Sequence, residues 1–178
     1  MTSRMITMIT GGARSGKSRH AQVLGGQSNG RRVFIATAEP LDDEMRDRIR
    51  KHRLQRGESF LTIEEPYEIG RAIESVPEDV EITVVDCLTV WLGNLMHRLE
   101  RCDTTTSQVR RFLSVLDAPP CSIILVTNEV GMGIVPENEM ARRYRDLAGQ
   151  LNQMVAQKAD RVVLMVSGIP LTIKGETN

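Results

Sequence analysis

Short apolar runs alternate along the chain with longer stretches in which apolar and charged positions recur at helical spacing. Met5–Thr10 (MITMIT), Arg32–Thr37 (RVFIAT), Ile82–Asp86 (ITVVD), Ser122–Thr127 (SIILVT) and Arg161–Val166 (RVVLMV) read as strands. The last four are almost uninterrupted apolar runs, the pattern of strands covered on both faces. Between them the spacing predicts helices from about Lys17 to Leu24, Asp42 to Gln55, Tyr67 to Ser75, Leu88 to Leu99 and Ser107 to Leu116. The first ends before Gly25-Gly26, and the longest, about Glu137 to Ala159, follows Pro136, a common first-turn residue. Glu58–Ile63 fits no template clearly. Strand–helix alternation of this kind implies an α/β fold, a largely parallel sheet flanked by helices.

With 178 residues and no internal repeat or long linker, the chain is expected to form a single nucleotide-binding domain over residues 1–178. Lys plus Arg number 23 and Asp plus Glu number 23, which argues against a dedicated nucleic-acid binder. One Trp, two Tyr and three Phe supply few platforms for base stacking. No apolar run is long enough to span a bilayer, and the amino terminus lacks the apolar core of a secretory signal. Cys87, Cys102 and Cys121 stand at unrelated spacings, suggest neither a disulfide framework nor a metal cluster, and fit a reducing cytoplasm.

The sharpest chemical signal is Gly11-Gly12-Ala13-Arg14-Ser15-Gly16-Lys17-Ser18, which matches G-x-x-x-x-G-K-[ST] between a predicted strand and a predicted helix. Glycines let successive N–H groups turn inward around phosphate oxygens, and the helix amino terminus adds its positive end. Lys17 is expected to reach the β- and γ-phosphates and Ser18 to complete a Mg²⁺ shell, which points to a P-loop NTPase fold that binds a nucleoside triphosphate and leaves the reaction open. A dinucleotide site would need glycine at Ala13. The second Mg²⁺ ligand is expected at the carboxyl end of a buried strand, where Asp86 stands; the other reading of Asp86 is a cap for the next helix.

Asp42–Arg56 (DDEMRDRIRKHRLQR) is the second unusual segment. Met45, Ile49 and His52 share one helical face, so His52 is expected in line with an inward-packing stripe, beside Arg46, Arg50 and Arg53. Two readings stand on these residues alone. In one, His52 is a satisfied, partly buried histidine and the arginines are a solvated face. In the other, the arginines hold phosphates and keep His52 neutral and nucleophilic. His20 and His97 are expected to be structural. The segment Val126–Pro136 (VTNEVGMGIVP) follows a buried strand where α/β sheets bind ligands, and it lacks the Lys-x-Asp with which switch GTPases read guanine.

Together GGARSGKSRHA, FIATAEPLDDEM, RIRKHR, TIEEP, VVDCLT and VTNEVGMGIVPENEMARRYRDLAGQLNQ resemble one family over about Met5 to Lys174. That family is the bifunctional adenosylcobinamide kinase/adenosylcobinamide-phosphate guanylyltransferase of cobalamin biosynthesis. The resemblance implies a RecA-like P-loop fold, usually a homotrimer. It implies phosphorylation of the aminopropanol hydroxyl of adenosylcobinamide with ATP or GTP. GMP then passes from GTP through a guanylylated histidine, giving adenosylcobinamide-GDP and pyrophosphate. By position, His52 matches the guanylylated histidine and Gly11–Ser18 the phosphate cradle. Ala36, Thr37 and Ala38, together with Arg53, Leu54, Gln55 and Arg56, match nucleotide-contacting stretches. Glu64 and Asp86 match acids that contact nucleotide or metal. Some members carry two adjacent histidines, or glutamate in place of Asp86; here Lys51 precedes a single His52. The rival expectations are a small-molecule kinase without nucleotidyl transfer and a RecA-like ATPase acting on nucleic acid. The corrinoid has two candidate surfaces, the Trp91–Leu99 helix and the Gly131–Val135 loop.

Overall fold

The structure, a computed structural model, describes residues 4–40, 42–56, 59–99 and 102–176; for Glu44, Arg48, His52, Gln55 and Arg56 it describes the helical backbone alone. The chain runs β1 (Ile6–Gly11), α1 (Lys17–Gly26), β2 (Arg31–Ala36), α2 (Asp43–Arg56), β3 (Leu61–Glu64), α3 (Ile69–Glu74) and β4 (Val80–Asp86). It continues through α4 (Leu88–Arg98), α5 (Ser107–Val115), β5 (Ser122–Val126), α6 (Glu139–Lys158), β6 (Arg161–Val166) and β7 (Ile169–Lys174).

These strands form one sheet in the order β3-β2-β4-β5-β1-β6-β7. All neighbours pair in parallel except β6 and β7, which are antiparallel. Strands β1, β4, β5 and β6 are apolar on both faces because both faces are covered. On one face α1 packs Ala21 and Leu24 over Ile9, Phe34, Val84, Ile124 and Val163. On the other, α3 to α6 close over Ile6, Val33, Val85, Ile123 and Leu125. Trp91 of α4 meets Phe112 of α5 edge-on at 5.2 Å between ring centroids. Each such large apolar side chain withdrawn from water stabilises by roughly 1.5–3 kcal/mol.

Several boundaries differ from the sequence reading. Helix α1 carries on through Gly25 and Gly26. A Cβ at Gly25 would stand 3.0 Å from Val84 Cγ2, so the glycine is there for close packing and not to stop the helix. Helix α6 starts at Glu139, capped by the Asn138 side chain accepting from Ala141 N, because Asn is a far better cap than the residues around Pro136. Helix α2 lends no described residue to either apolar cluster; Met45 and Ile49 are only half-buried. The expected inward-packing stripe is therefore a partly covered surface. With so many arginines and aspartates, α2 has too little apolar face to enter the core. No helix among the described residues is long and apolar enough to cross a membrane.

Candidate active site

β1 delivers the loop of residues 11–18 to the carboxyl edge of the sheet, and Gly16 caps α1 in a left-handed conformation with φ 94°. Gly11 is required by contact as well as by its φ of 144°: a Cβ there would lie 2.4 Å from the carbonyl oxygen of Met165. The tight turn between β6 and β7, Ser167-Gly168, has positive φ at both residues and braces the loop, Gly168 N donating to Ser15 O at 3.0 Å. That bond turns the Ser15 carbonyl outward, so the amide on the other side of the same peptide plane faces inward. Gly12, Ala13 and Arg14 are exposed, whereas Ser15 and Lys17 are buried.

Lys17 folds back over its own loop, Nζ donating to Gly12 O at 2.5 Å and to Ser15 Oγ at 3.3 Å. Burial lowers its pKa from the ordinary lysine value, while nearby Cys87 and Asp86 push in the opposite direction. Asp86 therefore lies close enough to the loop to act electrostatically on its lysine. Asp86 does not cap α4. That role falls to Cys87, whose Sγ accepts from Val90 N at 3.4 Å. Burial holds the Cys87 thiol up at about 12, which disfavours the thiolate. Ser18, half-buried on the first turn of α1, and Asp86 offer a hydroxyl and a carboxylate. These hard oxygens suit Mg²⁺, which takes one or two protein ligands and completes its shell with phosphate and water.

The other expected residues gather at the carboxyl ends of β2 and β3. Thr37 is wholly buried, and its hydroxyl is committed to structure. It accepts from Cys87 N at 2.8 Å and donates to Cys87 O at 2.9 Å. Asn94 Nδ2 donates to the Thr37 carbonyl at 2.8 Å and to Pro66 O at 3.2 Å, which fixes both strand ends on α4. Ala36 pairs with Asp86 on one side and Glu64 on the other. Glu64 is held in an ion pair with Arg53. Arg46 and Arg50 likewise pair with Asp43 and Asp47, each at 3.0 Å, within α2. Leu54 is exposed. The side chains of His52, Gln55 and Arg56 lie outside the described residues, although α2 carries all three.

Asp86, at the end of β4, thus stands between the phosphate loop on one side and Ala36, Glu64 and Arg53 on the other. By strand spacing, the end of β2 is about 14 Å along the sheet edge from β1, and the end of β3 about 19 Å. His20 is half-buried: its partial burial, with Arg161 nearby, lowers its pKa, and its Nε2 has no hydrogen-bond partner. Of the two candidate corrinoid surfaces, α4 buries Trp91, Leu92 and Leu95 and leaves His97 and Arg98 exposed. The loop after β5 is open, with Met132 82% and Ile134 96% exposed. The sequence singles out Val126–Pro136 without giving Thr127, Asn128 or Glu129 a role of its own. Beneath them Thr127 Oγ1 donates to Asn152 Oδ1 and Asn128 N donates to Thr89 Oγ1, and no local pattern announces such distant partners.

Sheet order and phosphate loop define a P-loop NTPase of RecA-like build. Two solved structures share that fold. They are the flagellar accessory protein FlaH from Methanocaldococcus jannaschii (TM-score 0.55, 13% identity, 97% of this chain and 79% of that one) and the RadB recombinase (TM-score 0.52, 18% identity, 90% and 73%). Residues 7–173 match the family described as cobinamide kinase / cobinamide phosphate guanyltransferase, and the chain belongs to that family. It is 42% identical over 175 residues to the bifunctional adenosylcobalamin biosynthesis protein CobP of Pseudomonas aeruginosa, covering 97% of this chain and 99% of that one. It is 39% identical over 184 residues to the bifunctional adenosylcobalamin biosynthesis protein CobU of Escherichia coli, covering 96% of this chain and all of the relative.

Proposed function

We propose that this protein phosphorylates the aminopropanol hydroxyl of adenosylcobinamide with ATP or GTP, and then moves GMP from GTP onto the product through His52. The observation that carries the kinase half is the buried Lys17 beside Asp86, inside a braced phosphate loop. Phosphoryl transfer needs positioning and charge neutralisation more than covalent help. Inward amides of the loop, the α1 amino terminus and Lys17 hold the triphosphate. Ser18 and Asp86 would hold Mg²⁺, which when bound neutralises charge on the phosphates.

In the second half, an imidazole nitrogen of His52 bonds to the α-phosphorus of GTP and pyrophosphate leaves with the bridging oxygen. A phosphate oxygen of adenosylcobinamide phosphate then attacks the same phosphorus, and the P–N bond breaks to give adenosylcobinamide-GDP. Arg46, Arg50 and Arg53 exchange exposed carboxylate partners for phosphate. Each exposed pair is worth only about 0–1 kcal/mol, so the exchange is easy. His52 and the loop have to meet at one triphosphate across the sheet edge. Helix α2 lends no described residue to the core, so its displacement withdraws no described side chain from it.

Self-association into the homotrimer usual in the family is supported by β7, which exposes Ile169, Leu171 and Ile173 on one face of an edge strand. The three free cysteines accord with a cytoplasmic setting.

Incubation with GTP labelled at the α-phosphate tests the histidine directly. An acid-labile, alkali-stable protein label, absent from His52→Ala, is expected. His52→Ala is expected to keep at least part of the kinase activity; equal loss of both activities in a folded variant overturns this division of labour.

A further inference from the structure

We propose that Glu129 is the catalytic base of the kinase step, taking the proton from the acceptor hydroxyl as it attacks the γ-phosphorus. The inference rests on the kinase half of the function proposed above and names a group that the loop, Lys17 and Asp86 do not supply.

Position is the first ground. β5 lies between β4, which ends at Asp86, and β1, which ends in the phosphate loop. Val126 pairs with Asp86 on one side and Ile9 on the other. The chain then runs on so that Glu129 N donates to Gly11 O at 3.0 Å. Glu129 therefore stands at the root of the phosphate loop, half-buried, on the stretch of edge between that loop and Asp86.

The support beneath it is the second ground. Thr127 Oγ1 donates to Asn152 Oδ1 at 2.8 Å, and Asn152 Nδ2 donates to Asn128 O at 3.1 Å. Asn128 N donates to Thr89 Oγ1 at 2.6 Å, and Tyr144 OH donates to Thr89 O at 2.8 Å. Burying so many polar groups is costly unless all are satisfied. Here they pin the two residues before Glu129 to α4 and α6, which holds the carboxylate's backbone still.

Elimination is the third. Among the described carboxylates at this edge, Glu39 accepts from Tyr67 OH, and Glu64 is paired with Arg53. One Glu65 oxygen accepts from Tyr67 N and Glu68 N. Asp86 is the expected metal ligand. The Glu129 carboxylate accepts from Gly131 N at 2.8 Å, a bond inside its own turn that an incoming hydroxyl replaces without stranding a charge. The same turn leads into Met132, Ile134 and Val135, whose exposed side chains suit the apolar body of a corrinoid arriving beside it.

In the step, the acceptor oxygen bonds to the γ-phosphorus and the bond to the β–γ bridging oxygen breaks. ADP leaves with that electron pair, and the acceptor's proton passes to Glu129. The test compares wild type, Glu129→Gln and Glu129→Asp in single-turnover phosphorylation of adenosylcobinamide, alongside ATP affinity and labelling by α-labelled GTP. A base of this kind contributes about 100-fold or more. Glu129→Gln is expected to lose that in rate, with ATP affinity and the GTP label within about twofold of wild type, and Glu129→Asp to recover part of the rate. A Gln variant within about threefold of wild type in rate overturns the proposal. So does one whose ATP affinity and label fall with its rate. Wild-type protein that leaves adenosylcobinamide unphosphorylated overturns the kinase reading, and this inference with it.

Discussion

The Thr37 hydroxyl bridges both backbone polar groups of Cys87, accepting from its N–H at 2.8 Å and donating to its carbonyl at 2.9 Å. One side chain thereby fastens the end of β2 to the end of β4, next to Asp86. Trp91 N also donates to the Cys87 carbonyl, at 3.1 Å, so the group that depends on Thr37 is the Cys87 amide. Thr37→Val keeps the shape and strands that amide, at about 1–3 kcal/mol. At roughly 2–4 °C per kcal/mol for a chain of this size, thermal unfolding should fall by several degrees, and Thr37→Ser should restore it. A Val variant that melts with wild type contradicts the clasp.

Lys17→Ala removes the ammonium from the loop without disturbing either apolar cluster. A charge-assisted bond to phosphate is worth roughly 1.5–3 kcal/mol, so ATP and GTP affinity should drop at least about tenfold by calorimetry. Both the kinase reaction and the α-GTP label should fall with it. Unchanged affinity would remove Lys17 from phosphate binding.

Gly11 and Gly12 are adjacent and answer differently to a methyl group. Ala at Gly11 meets Met165 O at 2.4 Å in a backbone region that side chains rarely adopt, whereas Gly12 faces open space. Gly11→Ala should destabilise by at least about 2 kcal/mol in urea unfolding, with Gly12→Ala close to neutral.

His20 gives a signed pH dependence. Burial, aided by Arg161, lowers its folded pKa below 6.5, so below that pH the unfolded chain binds more protons than the folded one. Stability therefore falls as pH drops through 6.5 and levels off only below the folded value. His20→Gln should flatten that part of the profile, read from urea unfolding between about pH 5 and about pH 7.5.

What the sequence announced was whatever is written locally. The phosphate loop is an uninterrupted string, and the strands later found buried on both faces show as apolar runs. Strand β3 escaped because four residues at a sheet edge, LTIE, leave only Ile63 with a partly buried apolar side chain. Strand β7 was missed although Ser167-Gly168 followed by I-P-L-T-I is a readable hairpin; Pro170 is tolerated there because the strand lies at an edge. The stripe on α2 was over-read, since Met45 and Ile49 are too few to carry a helix of fourteen mostly charged residues inward. The Thr37 hydroxyl holds Cys87, fifty positions away along the chain. A partner that distant leaves no trace in spacing.

The bond from Gly168 to Ser15 joins the β6–β7 hairpin to a loop that the ribosome makes long before it. The two strands that flank β1, β5 and β6, are also translated long after it. A nascent chain therefore carries its phosphate loop through the synthesis of β2 to β4 with neither flanking strand in place. Assembly of the grip waits on contacts between distant parts of the polypeptide, the kind that form slowly. The phosphate loop is thus braced only once β6 and β7 exist, as a by-product of completing the sheet.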